Sequence, residues 1–214
     1  SLYNGGGMAI YNSNSNLENI LIMGNVGDVY GGGIIIVESN LELYNIDVIE
    51  NQSMTGGGGG MLINDESTVT ITNSTISNNE GGYQSDTQYG GGILANGDVT
   101  LNNVNIVNNT ASNGGGVSVG VKTFTMYGGS ISGNISYSPN QEGGALQIQD
   151  AISVSLDSVE FLGNQYNNDV GVGSAIGIRR TDTDITNCVI SNNSSGRGAI
   201  YIHDADVSIT KTLI

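Results

Sequence analysis

The stretch GGGGGMLINDESTVTITNSTISNN, residues 56–79, joins five glycines to an alternating apolar run and ends on paired asparagines. A phosphate-cradling loop would place Lys and then Ser or Thr directly after the last glycine, and Met61 and Leu62 stand there instead. A flexible linker would not run into an apolar triplet each time it recurs. The remaining reading is one beat of a repeat, a possibility to be tested before any local structure is assigned. Matching starts lie along the whole chain: GGGMAI at residue 5, GGGIII at 31, GGGMLI at 58, GGGILA at 90 and GGGVSV at 114. GGALQI follows at 143, GSAIGI at 173 and RGAIYI at 197.

After each start come a polar turn, a second alternating run and a close of Ile-x-Asn or Ile-x-x-Asn type: IMGN, IEN, ISNN, IVNN, ISGN, FLGN and ISNN. Cutting at the closing apolar residue makes residues 1–214 a single domain of eight coils. They end near Ile22, Ile49, Ile76, Ile106, Ile131, Phe161, Ile190 and Ile214. Length variation gathers in one connection, including 80–89, 135–142 and 165–172, as in a solenoid with insertions at one corner. Short period-two runs such as VTIT (69–72) and VTLN (99–102), with no apolar stripe at helical spacing, exclude a helical repeat. An all-β, parallel β-helix fits, right-handed because parallel crossovers almost always turn that way.

Stacking the coils predicts three inward columns. One contains Leu17, Leu43, Ile71, Leu101, Met126, Leu156, Ile185 and Ile209. The second is formed by the eight closing residues. The third runs Met8, Ile34, Met61, Ile93, Val117, Leu146, Ile176 and Ile200. A turn column of Asn19, Asn45, Asn73, Asn103, Gly128, Ser158, Asn187 and Lys211 suits a left-handed backbone. Its amides, Asn73 among them, are expected to form an inward hydrogen-bonded ladder.

The repeats GGGI, GGAL and FLGN (Phe161–Asn164) resemble the paired GGA(I/L/V) and FxxN repeats of chlamydial polymorphic outer-membrane proteins. Similar repeats occur in other large bacterial and archaeal β-helix surface proteins, and the likeness spans all eight coils. It implies a secreted, cell-surface β-helix acting in adhesion. Ile or Val stands in place of Phe at most closes.

Composition narrows the function further. Twenty acidic against five basic residues leave a net charge of −15, which disfavours nucleic acid and anionic membranes. No stretch approaches the ~20 apolar residues of a membrane span. Cys188 is the sole cysteine, so no internal disulfide is expected, and a buried thiol is its plain reading. Ser1 is not an initiator Met, which suggests a processed product or an excised piece.

Asp182 and Asp184 in TDTD and Asp204 and Asp206 in HDAD form an acidic cluster beside Arg179, Arg180 and His203. It admits three readings: a charge-balanced surface patch, a calcium site built from hard oxygen ligands, or a carboxylate pair for polysaccharide cleavage. On the strand after the glycines, outward positions in the early coils include Ala9, Tyr11, Ile35, Val37, Leu62 and Leu94. Ser118, Gln147, Gln149, Arg179, Tyr201 and His203 occupy them later. The apolar set is expected to be either an exposed interaction patch or a surface covered by an insertion loop. Ile214 would lead into Ser1 of a second copy in repeat register, so both are candidate contacts for head-to-tail stacking.

The favoured expectation is a non-catalytic extracellular structural or adhesive protein, forming a fibre or part of a cell-surface stalk. One alternative binds glycan or protein through loops bearing Tyr83, Tyr89, Tyr137 and Tyr166. A second is a polysaccharide-cleaving β-helix enzyme.

Overall fold

The computed structural model describes residues 5–82, 89–137, 143–167, 171–195 and 197–214. Through these residues the chain winds about seven turns of a parallel β-solenoid, matching a parallel β-helix. The first sheet stacks eight strands in chain order, from Met8–Tyr11 through Ile34–Val37, Met61–Ile63 and Ile93–Ala95 to Ile200–His203. The second begins with Asn14–Met23 and Asn40–Ile49 and ends with Val207–Thr210. The third is narrow, built from two-residue strands between Val26–Gly27 and Gln165–Tyr166. Among the described residues no helix is long and apolar enough to cross a membrane.

Register follows the hydrophobic pattern, because slipping by one residue would turn every inward side chain to solvent. Leu17 pairs with Leu43, then the column continues through Ile71, Leu101, Met126, Leu156, Ile185 and Ile209. Met8 similarly leads through Ile34, Met61, Ile93, Val117, Leu146 and Ile176 to Ile200. In the closing column one expected member is displaced. Ile22 pairs with Val48, and Val48 with Ile76, whereas Ile49 pairs with Met23 and Ser77. Val48 is fully buried, so the second coil turns one residue earlier than a cut at Ile49 implies.

The turns explain the abundance of glycine and asparagine. All eight members of the turn column have positive φ, from 49° at Asn73 and Lys211 to 64° at Gly128. Gly and Asn enter this left-handed region at the lowest steric cost. A second such column, Gly24, Glu50, Asn78, Asn108, Gly133, Gly163 and Asn192, directly precedes the closing asparagines. In the glycine run, Gly58 has φ 69°. Gly60 is required for a different reason: a Cβ there would lie 2.7 Å from the Gly92 carbonyl oxygen and 3.0 Å from Asn79 Nδ2.

That last contact marks the polar spine of the molecule. Asn25, Asn51, Asn79, Asn109, Asn134, Asn164 and Asn193 stack in successive coils. Each of the first six donates both its backbone N–H and its Nδ2 to the Oδ1 of the next, at 2.9–3.1 Å. From Asn51 onward, Nδ2 also donates to the carbonyl of the closing apolar residue one coil back, at 2.8–2.9 Å. Asn51, Asn109, Asn134 and Asn164 are fully buried.

The inward ladder therefore lies at the closing asparagines and not at the turn column. Asn73 is exposed. The turn amides bond only in places, as in Asn45 Nδ2 to Asn19 Oδ1 at 2.6 Å and Asn103 Nδ2 to Asn73 Oδ1 at 2.9 Å.

The two asparagine columns should respond differently to substitution. Asn109→Ala leaves the buried Asn79 N–H and one Asn79 amide hydrogen without partners, and removes one bond to the Ile76 carbonyl. At roughly 1–3 kcal/mol for each orphaned group, the expected loss is about 2 kcal/mol or more in denaturant titration. Asn103→Gly keeps the left-handed turn and removes one exposed bond. It should change stability by about 0.5 kcal/mol or less.

Candidate functional site

The outer face of the first sheet holds the residues that sequence singled out as an apolar patch. Strand geometry sends Ile34 and Ile36 into the coil and Ile35 and Val37 outward, yet all four are buried. Ile35, Val37 and Leu62 form a second apolar cluster with Tyr30 and Leu94 packed against it. The corner segment carrying the glycines folds back over them: a Cβ on Gly31 would touch Ile35, and one on Gly57 would touch Leu94. Of the two expectations for Ile35, Val37 and Leu62, the covered surface is the one found. Ala9 and Tyr11 in the first coil remain exposed, as does Ile214 at 67%. Ser1 and Tyr83 lie outside the described residues.

Where this cover stops, a groove opens. Its volume is about 740 Å³, with Tyr30, Leu62, Tyr89 and Leu94 on one side and Ser118, Gln147 and Gln149 further along the stack. Successive strands place Leu62, Leu94, Ser118 and Gln147 on one outward column. The floor therefore changes from apolar to amide over three coil steps, roughly 14 Å at ~4.8 Å per step. Asn64 and Asn96 continue each strand outward beside this column, and Asp65 and Asp150 stand at the rim.

Several of these polar groups are already oriented. Ser118 Oγ donates to Gln147 Oε1 at 3.1 Å. Asn64 Oδ1 accepts from the Glu38 N–H at 3.0 Å and from Ser67 Oγ at 2.7 Å. Asp150 is held by Arg180 through Nε at 2.6 Å and Nη2 at 2.7 Å. That bidentate bond keeps the Asp150 carboxyl below its usual range.

The acidic cluster is arranged differently from the calcium expectation. Thr183 pairs with Val207, which sets Asp182 beside Asp206, and these two share a shallow groove with Asp184, Ser153, Ser155 and Ser208. Asp204 sits apart on a positive-φ turn. All four carboxylates are exposed. No three metal-ligating side chains converge closely enough to hold an ion among the described residues. The proposed ligand set is not assembled, because outward positions on a flat sheet point in parallel and do not converge. His203 is exposed and stacks on Tyr201, ring centres 6.2 Å apart.

Of the loop tyrosines, Tyr89 borders the groove and Tyr137 is half-buried. Tyr166 is 4% exposed, its ring packed against Gly171 of the corner segment, which corrects its assignment as an exposed binding-loop residue. Cys188 is buried, its Sγ facing the Thr186 and Leu156 carbonyls, and burial pushes its thiol pKa up. Sequence had placed Ser118, Gln147 and Gln149 on the outer face but missed Asn64 and Asn96. The signal was an Asn one residue past the strand in two successive coils.

Comparison with family models, curated proteins and solved structures finds no match to this chain.

Two outcomes are expected. Calcium at about 5 mM should leave the melting temperature within about 1 °C of its value in chelator, since ligand bound only to the native state would raise it. The Asp150–Arg180 pair contributes above the ordinary carboxylate pKa, and its contribution disappears as pH falls through the lowered folded value. Both partners are 40% or more exposed, so Asp150→Asn should cost less than about 1 kcal/mol near pH 7. That gap from wild type should narrow as pH falls below the ordinary carboxylate pKa and close once it is below the lowered folded value.

Proposed function

We propose that this chain is a non-catalytic structural element of an extracellular, adhesive β-helix. In this reading it is a rigid rod that either joins other copies head to tail into a fibre or forms one stretch of a long cell-surface stalk. The observation that supports the reading is the uninterrupted asparagine ladder running beside a continuous apolar core. Each coil presents the next with the same backbone edge, the same Oδ1 acceptor and the same apolar columns. Any further coil, covalent or from a second copy, would extend the pattern without new chemistry. A solenoid of this kind resists bending because every backbone ladder runs along its length. The −15 charge favours contact through matched edges over non-specific lateral association.

A second reading, a glycan- or protein-binding adhesin module, draws support from the groove. The two are compatible: a rod that presents a binding groove is an adhesive rod.

Electron microscopy of the purified 214-residue chain tests the fibre form. Straight unbranched filaments with an axial repeat near ~38 Å, eight coils of ~4.8 Å, are the expected result. Discrete short rods at high protein concentration would remove head-to-tail assembly and leave only the stalk form.

A further inference from the structure

We infer that the groove on the outer face of the first sheet, spanning the third to sixth coils, is a binding site for a short neutral oligosaccharide. The inference goes beyond the structural reading above and stands without it.

The first ground is a pair of amide donors, held in place by their oxygens, that no described protein group accepts from. Gln147 is 3% exposed and Asn64 8%. Their oxygens are occupied, by Ser118 Oγ for Gln147 and by the Glu38 N–H and Ser67 Oγ for Asn64. Neither Nε2 of Gln147 nor Nδ2 of Asn64 has a partner among the described residues, and both residues line the groove. These two nitrogens are not sealed from water, so they meet solvent through the groove, and a ligand acceptor placed there would take over the bonds that water makes. Because each oxygen is already engaged, both amides must present N–H outward. The complementary ligand atoms are hydroxyl or ring oxygens.

The second ground is the arrangement of apolar and aromatic surface. Tyr30, Tyr89 and the half-buried Leu94 line one end of the groove, with Leu62 buried beneath them. Pyranose rings carry an apolar C–H face and a rim of hydroxyls, and tyrosine combines an apolar ring with a polar tip. A volume of about 740 Å³ lies within the usual range of sites for small ligands. The polar groups recur at the coil spacing along ~14 Å, which suits a chain of rings better than a single compact molecule.

The third ground fixes the charge. Asp65 and Asp150 stand at the rim, and Asp150 already neutralises Arg180. No lysine or arginine lines the groove, so uronate-containing or sulfated chains would be repelled. Among glycans this selects the neutral ones.

The test is titration of the full 214-residue chain with maltohexaose, cellohexaose, laminarihexaose and mannohexaose, using oligogalacturonate as the charged control. Binding is read by calorimetry and by saturation-transfer NMR. At least one neutral hexasaccharide should bind one to one with Kd of about 1 mM or tighter. Tyr89→Ala and Gln147→Met should each weaken it about tenfold or more. Tyr127→Ala, exposed on the second sheet, should leave it unchanged. Melting curves identify any variant that fails to fold, in which case the other carries the comparison. No binding by any neutral probe up to about 10 mM would overturn the assignment. So would binding indifferent to both groove variants, binding equally weakened by Tyr127→Ala, or preference for oligogalacturonate.

Discussion

The structure depends on one repeated interaction: a buried asparagine whose Oδ1 accepts two bonds from the coil before it while its Nδ2 bonds forward and back. A solenoid coil must turn sharply, and a sharp turn leaves backbone N–H and C=O groups facing inward without sheet partners. Here the side-chain amide supplies what the sheet cannot. It takes the N–H of the previous asparagine and covers the carbonyl of the closing apolar residue, for example Asn109 on Ile76. Substituting any other side chain of similar size removes either the donor or the acceptor.

Other features follow from that spine. The residue before each ladder asparagine is held in the left-handed region, which draws Gly or Asn to Gly24, Asn78, Asn108, Gly133, Gly163 and Asn192. The third small residue of the glycine run must let the amide approach, which explains Gly60 against Asn79 and Gly92 against Asn109. Ala145 and Ala175 hold that position in later coils and are fully buried, so a methyl is accommodated where the neighbouring backbone gives a few tenths of an ångström. The corner between the first and second sheets varies by only one or two residues, while the long insertions lie at the corner between the third and first sheets, away from the ladder. That same corner folds back over Ile35 and Leu62, and the groove begins where its cover ends.

Much of this was legible in the chain. Alternation fixed the two wholly regular inward columns because burial on one face tolerates no register slip. The closing column slipped at one place because Ile49 looks like its neighbours, yet the distance from inward residue to ladder asparagine is constant. Ile22 to Asn25, Val48 to Asn51, Ile76 to Asn79 and Phe161 to Asn164 are each three residues, and that rule selects Val48. The choice between asparagine columns was also decidable. The turn column admits Gly128, Ser158 and Lys211 and so needs only a backbone angle, whereas the closing column is Asn in all seven coils that contain it and so needs an amide. The groove was less legible. Its outward residues were named, but whether Ile35 and Leu62 meet solvent depends on how the corner folds back, which no local pattern specifies.

Amide hydrogen exchange tests the primacy of the ladder most directly. The backbone N–H groups of Asn51, Asn79, Asn109 and Asn134 each donate to a side-chain oxygen and not to a sheet carbonyl. Side-chain acceptors in an ordinary turn would open locally and exchange early. If the ladder is the spine, these four amides exchange as slowly as the central strands around Leu101 and Ile106, through global unfolding alone. Exchange as fast as that of the corner amides would contradict it and leave the apolar columns as the principal support of the fold.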